Sequence, residues 1–318
     1  MRFITRSRAA VAAVALALAA APGLALAHQG HHNAAAAATA PTRKVSIDFA
    51  AVAGSKPVTC GKPITGLGTA STTAQLTDLR FYVTDVKLLR KGGGSVPLTP
   101  LADSQWSYSK GDAAVTLIDL ENGTGGCAAE GTKVMNAAVT GTVPKGSYTG
   151  ISYSVAVPDS LSHTDLTTMP APLNNTAMAW SWQFGRKFMK IEVSEDGGPA
   201  WAEKTFFVHI GSTGCEGNPA AGAGVKCSLP NQDEVTLAKF NPAKQKIDVD
   251  LKALLAGVDV TGGTGSAMPM MEMEGMGGTG GCMSDTSSPD CKPIFEALGM
   301  KLGTRKTMAQ TTFRVVGK

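Results

Sequence analysis

Met178-Ala179-Trp180-Ser181-Trp182-Gln183-Phe184-Gly185-Arg186-Lys187-Phe188-Met189-Lys190-Ile191-Glu192-Val193 is the stretch on which the reading of this chain turns. In an extended strand, residues two apart share a face, so Trp180 and Trp182 present two indoles side by side with Met178 in register. The plain alternative is a pair of core aromatics in a sheet protein. Beyond the indoles the apolar parity changes. Trp180, Trp182 and Phe184 fall on even positions, Met189, Ile191 and Val193 on odd ones, and Gly185 lies between them. A one-residue shift at a glycine predicts a β-bulge that re-aims the indoles.

Strand patterns continue outward in both directions, separated by Gly, Pro, Asn and Asp. Val45, Ile47 and Phe49 alternate with polar residues. Leu79 to Val86, Val115 to Leu120, Tyr148 to Val157, Thr205 to Ile210, Val235 to Phe240, Ile247 to Leu251 and Phe313 to Val316 follow the same habit. The expectation is an all-β fold, an antiparallel β-sandwich of about eight or nine strands over residues 44–318. It would carry one short helix, Pro293 to Leu298, ending at Gly299. No glycine-rich phosphate loop, nucleophile elbow or suggestively spaced carboxylate pair is present, so no enzymatic activity is expected.

Residues 1–27 read as a secretory signal: Arg2, Arg6 and Arg8 precede an alanine- and leucine-rich run, and Ala25-Leu26-Ala27 is a small-x-small cleavage site. Losing those three arginines brings the formal charge of +4 close to neutral, so no nucleic-acid partner is implied. No later run is long enough to span a membrane as a helix. An exported chain with six cysteines implies disulfides formed in the periplasm. Sequence leaves many pairings open; proximity favours Cys215 with Cys227 and Cys282 with Cys291, leaving Cys60 for Cys127. The mature chain would begin with His28, His31 and His32 in an alanine-rich disordered tail, 28–43, suited to weak copper(II) capture. A second auxiliary element is the flexible loop 261–281, where Met268, Met270, Met271, Met273 and Met276 place five thioethers in nine residues. Thioethers are soft donors that persist where free thiols oxidise; the bland reading is a low-complexity loop.

Outside the tail there are two histidines, His163 and His209. His209 alternates with Phe207 and opens onto Gly211-Ser212-Thr213-Gly214-Cys215, a segment a disulfide would stiffen. His163 lies in a loop with Asp165, which could hold one ring nitrogen. Two neutral imidazoles with a soft third donor, Met178 or Met169, suit copper(I) better than zinc. The segments Asp78 to Val86, Trp180-Ser181-Trp182, His209-Ile210-Gly211-Ser212-Thr213-Gly214-Cys215 and Cys282-Met283-Ser284 resemble the MbnP-like periplasmic copper-binding proteins, the four-Cys, W-x-W half of the metallo-mystery pair. The resemblance implies copper as cofactor, with His163 and His209 as ligands. It also implies a partner resembling a di-haem cytochrome c peroxidase of the MbnH or MauG type, able to oxidise Trp180 or Trp182 to kynurenine. Two alternatives stand beside this: a redox client whose tryptophans are oxidised with metal incidental, and a disulfide-stapled structural sandwich.

Overall fold

The strand Thr72–Arg90 forms the spine of the larger of two main sheets, beside which stand two two-stranded ones. That sheet orders Asp233–Ala238, Tyr148–Val155, Thr72–Arg90, Met189–Glu195, Thr205–Ile210 and Gly280–Cys282, with Ala113–Asp119 also paired to the spine. The smaller sheet orders Phe313–Gly317, Gln245–Asp250, Thr42–Ala53, Ala138–Pro144 and Thr99–Pro100. The structure is a computed structural model and describes residues 41–181, 185–197, 201, 204–218, 224–262 and 280–318. The signal segment, His28, His31, His32, Trp182 and Met268 to Met276 lie outside the described residues.

The fold is all-β, as the alternation implies, and mostly antiparallel. Thr42–Ala53 nevertheless runs parallel to Gln245–Asp250, and Thr205–Ile210 parallel to Gly280–Cys282. The described residues contain 20 strand segments rather than eight or nine. Many of the extra ones are edge pieces of two to five residues, too short for alternation to mark. The expected helix forms at Cys291–Ala297.

Apolar side chains from the two sheets meet between them. Phe49 and Phe313 from the smaller sheet and Phe81 and Tyr153 from the larger close a ring of four edge-to-face contacts, with centroids 5.4 to 6.0 Å apart. Such pairs add roughly 0.5–1.5 kcal/mol each beyond area burial. What positions the site is the opposite face of the larger sheet. Asp78 to Val83 are buried on both faces of the strand, because alternation sends Leu79, Phe81 and Val83 inward and Asp78, Arg80 and Tyr82 outward. The outward face is therefore covered. A second apolar cluster of Tyr82, Val115, Leu117, Ala156, Val157, Leu161, Leu173, Met178 and Phe188 lies there, and the Tyr82 hydroxyl donates to the Pro172 carbonyl at 2.8 Å.

The stretch Met178–Val193 is bulged but is not one strand. Ala179–Ser181 and Gly185–Arg186 pair as a small hairpin whose register shifts between Ala179 and Ser181, at Trp180, and Met189–Glu195 then enters the large sheet. Gly185 has φ of +78°, a left-handed value that glycine adopts freely in tight turns. The parity change in sequence thus accompanies a chain reversal as well as the bulge. All three cystines form as proximity suggested, joining Cys60 to Cys127, Cys215 to Cys227 and Cys282 to Cys291.

Candidate metal centre

His209 sits on Thr205–Ile210 facing outward, opposite Lys190 in the register. Its Nε2 lies 2.7 Å from Glu192 Oε1, and its ring meets Phe207 edge-on. Burial pulls the imidazole below its usual pKa, against the opposing pull of Glu192, while Glu192 is held below its own usual value by His209 and Lys190 despite being buried. An ionised Glu192 fixes the proton on Nε2, so the lone pair resides on Nδ1. A carboxylate behind a neutral imidazole is the usual support of a metal-ligating histidine.

Glu192 belongs to a buried charge network that sequence reasoning missed. Asp78 accepts from Arg80 Nε at 2.8 Å and from Lys190 Nζ at 2.7 Å. Lys190 also pairs with Glu130 and lies 3.2 Å from Glu192. Three carboxylates therefore face the two cations Arg80 and Lys190. Lys187, close enough to act on His209, donates to the Ala177 carbonyl at 3.1 Å and is lowered to about 8 by burial and by Lys190. The signal was available: Asp78, Arg80, Lys190 and Glu192 are charged residues at alternate positions within apolar strands, and a charge buried in a sheet requires a partner.

Trp180 reaches the same region. The Ser284 hydroxyl bridges the His209 carbonyl and the Gly211 amide at 3.1 and 3.0 Å, which ties Gly211 to the end of the strand that carries His209. The space a Cβ would need at Gly211 is occupied by the Trp180 ring, with Cζ3 at 2.6 Å, and by the Arg186 carbonyl at 2.9 Å. Only a glycine allows the indole to lie there.

His163 follows the helical turn Asp159–Ser162 and touches the same hairpin from elsewhere. A Cβ at Gly185 would meet His163 Cε1 at 2.8 Å and Nδ1 at 3.0 Å, so the imidazole covers that glycine. His163 Nε2 lies 3.4 Å from Cys227 Sγ. Asp165 Oδ1 accepts from the Thr167 amide and hydroxyl at 2.8 and 2.9 Å, closing a turn just beyond it. The organiser is Arg186, another residue not read from sequence. Its buried guanidinium donates to the carbonyls of Leu161 (2.6 Å), Ser162 (2.9 Å), Thr164 (3.2 Å) and Leu173 (2.9 and 2.6 Å).

The hairpin Ala179–Arg186 is therefore the common element. Its Trp180 touches Gly211, two residues past His209, and its Gly185 touches His163. The imidazoles themselves have separate partners. Among the described residues, no group of three His, Cys, Asp or Glu ligand atoms contains both. Met178 is fully buried in the second apolar cluster, with Met169 packed at its edge. Two imidazoles, one backed by a carboxylate and favoured in its neutral form by burial, fit a copper ion in their donor chemistry.

The family model for MbnP matches residues 42–272. A solved structure, MbnP from Methylosinus trichosporium, is similar with a TM-score of 0.71 and 30% identity, over 87% of this chain and 99% of that one. No curated protein gives a significant match. Among the described residues, no helix is long and apolar enough to cross a membrane.

Proposed function

The chain belongs to the MbnP family of methanobactin-related proteins, and from that premise we propose that it is a periplasmic copper-binding protein whose ligands are drawn from His163, His209 and the tryptophan hairpin. The observation that carries this reading is the His209–Glu192 pair. Burial favours the neutral imidazole, Glu192 fixes its tautomer on a rigid strand, and an indole packs against Gly211 two residues along. Copper(I) would supply a soft cation for the imidazole donors. Glu192 orients the ring, Arg186 holds the loop that carries His163, and Gly211 admits Trp180. His28, His31 and His32 and the thioethers of Met268, Met270, Met271, Met273 and Met276 would serve as auxiliary capture groups.

A partner is part of the same reading. Trp180 is half-buried, and oxidation of it or of Trp182 to kynurenine by a di-haem cytochrome c peroxidase-like protein would add an aniline-type nitrogen to the donors. The second reading, a redox client in which metal is incidental, draws on the same indole. Anaerobic copper(I) titration against a chromophoric competitor tests the first. His163→Ala and His209→Ala should each weaken binding by at least about tenfold, the loss expected even for a supporting residue. Unchanged affinity in the double variant would overturn it. Kynurenine detected by mass spectrometry with no copper affinity would instead favour the client.

A further inference from the structure

The Cys215–Cys227 cystine differs in setting from the other two. Its cysteines lie directly opposite each other in a separate two-stranded sheet, Thr213–Glu216 with Lys226–Leu229, and both are half-exposed. Cys60, Cys127, Cys282 and Cys291 are buried. An exposed cystine is open to thiolate attack in a way that a buried one is not. It also borders an open cleft of about 230 Å³ lined by Asp159, His163, Lys226, Cys227 and Arg305. Arg305 Nη2 lies 3.3 Å from the Cys227 carbonyl, and two cations beside a cysteine favour its thiolate.

His163 supplies a third donor. The two sulfurs and one imidazole nitrogen all lie within 4.8 Å of one another, with His163 Nε2 3.4 Å from Cys227 Sγ. In a tetrahedral site with metal–sulfur bonds of about 2.3 Å and metal–nitrogen bonds of about 2.0 Å, donor atoms stand roughly 3.5–3.8 Å apart. The cluster is thus near metal-site dimensions, but its sulfurs are bonded to each other and cannot act as thiolates.

We propose that Cys215–Cys227 is a reducible clasp over a latent metal site, and that reduction frees two thiolates which, with His163, bind a thiophilic d10 cation, copper(I) or zinc(II). The reductant is a dithiol, small or protein-borne. Its two thiols pass two electrons and two protons to the cystine, the Cys215–Cys227 bond breaks, and the dithiol closes to its own disulfide. On binding the cation, both cysteine thiols lose their protons to solvent. The fourth position opens to the cleft. This site shares His163 with the copper reading but needs neither His209 nor a modified tryptophan, so it stands if that reading fails.

The test uses the full chain. Limiting dithiothreitol followed by alkylation and peptide mass spectrometry should label Cys215 and Cys227 before the other four cysteines. Anaerobic addition of cobalt(II) to the selectively reduced protein should produce the visible and near-ultraviolet bands of tetrahedral thiolate-bound cobalt. Those bands should vanish in Cys215→Ser/Cys227→Ser, and equally in wild-type protein whose freed thiols were alkylated, which covers misfolding of the variant. His163→Ala should weaken cobalt binding by at least about tenfold, and His209→Ala should leave it unchanged. Reduction of a buried cystine first, absence of thiolate–cobalt bands, or undiminished binding in His163→Ala would each overturn the proposal.

Discussion

Arg186→Lys is a sharp perturbation because it keeps the charge and discards the fork. Five contacts between 2.6 and 3.2 Å join the guanidinium to four carbonyls, those of Leu161, Ser162, Thr164 and Leu173. The ammonium of lysine has three donors radiating from one atom and cannot span both sides of the loop as a planar guanidinium does. Two carbonyls are then left without this partner, each costing about 1–3 kcal/mol if buried, so the loss is about 2–5 kcal/mol after partial relaxation. At roughly 2 °C per kcal/mol for a domain of this size, the melting temperature should fall by about 4–10 °C. The loop bearing His163 should loosen with it. Thermal unfolding followed by fluorescence measures the first effect, and copper(I) affinity together with the His163 ring resonances measures the second. A Lys variant within about 0.5 kcal/mol of the parent, with unchanged His163 resonances, would show that the guanidinium does not organise this loop.

Gly211→Ala should disturb the other side of the hairpin. Its Cβ would stand 2.6 Å from Trp180 Cζ3 and 2.9 Å from the Arg186 carbonyl, and overpacking of this kind costs about 1–3 kcal/mol; indole emission should shift, and an unchanged spectrum would argue against the contact. Asp119 makes a pH prediction. Burial and the Glu121 carboxylate raise it to about 7, against the hydrogen bond from Thr132 and the charge of Arg80. A folded-state pKa above the unfolded value means that this carboxyl contributes stability fully below about pH 4 and loses it as pH rises through about 7. Asp119→Asn should flatten the decline in urea-unfolding stability between about pH 4 and 7; an identical pH profile would refute the assignment.

How much of this was legible in the sequence follows from what each signal encodes. Alternation marks the strands with one polar face, such as Val45, Ile47 and Phe49, so the fold class could be read. It is weak where both faces are buried: the alternate charges of Asp78-Leu79-Arg80-Phe81-Tyr82-Val83 call for partners but do not say that these are Lys190 and Glu192, more than 100 residues away. Local sequence spacing carried the cystines, because Cys215 with Cys227 and Cys282 with Cys291 close short loops. Apolar parity marked the bulge but not the reversal, since a parity change accompanies both, and only the pairing of Ala179 with Arg186 reveals the second. The site residues visible in advance were those with distinctive chemistry, imidazole and indole. Those that position them, Arg186, Glu192 and Gly211, have common side chains or none, and acquire meaning only from what the fold sets against them. The hairpin makes the point most directly: one glycine within it is covered by His163, while the glycine that Trp180 covers, Gly211, lies just past the strand Thr205–Ile210. The same sixteen residues that fixed attention on two indoles therefore act as the joint between two separately supported imidazoles, and a change at Arg186 should be felt at both.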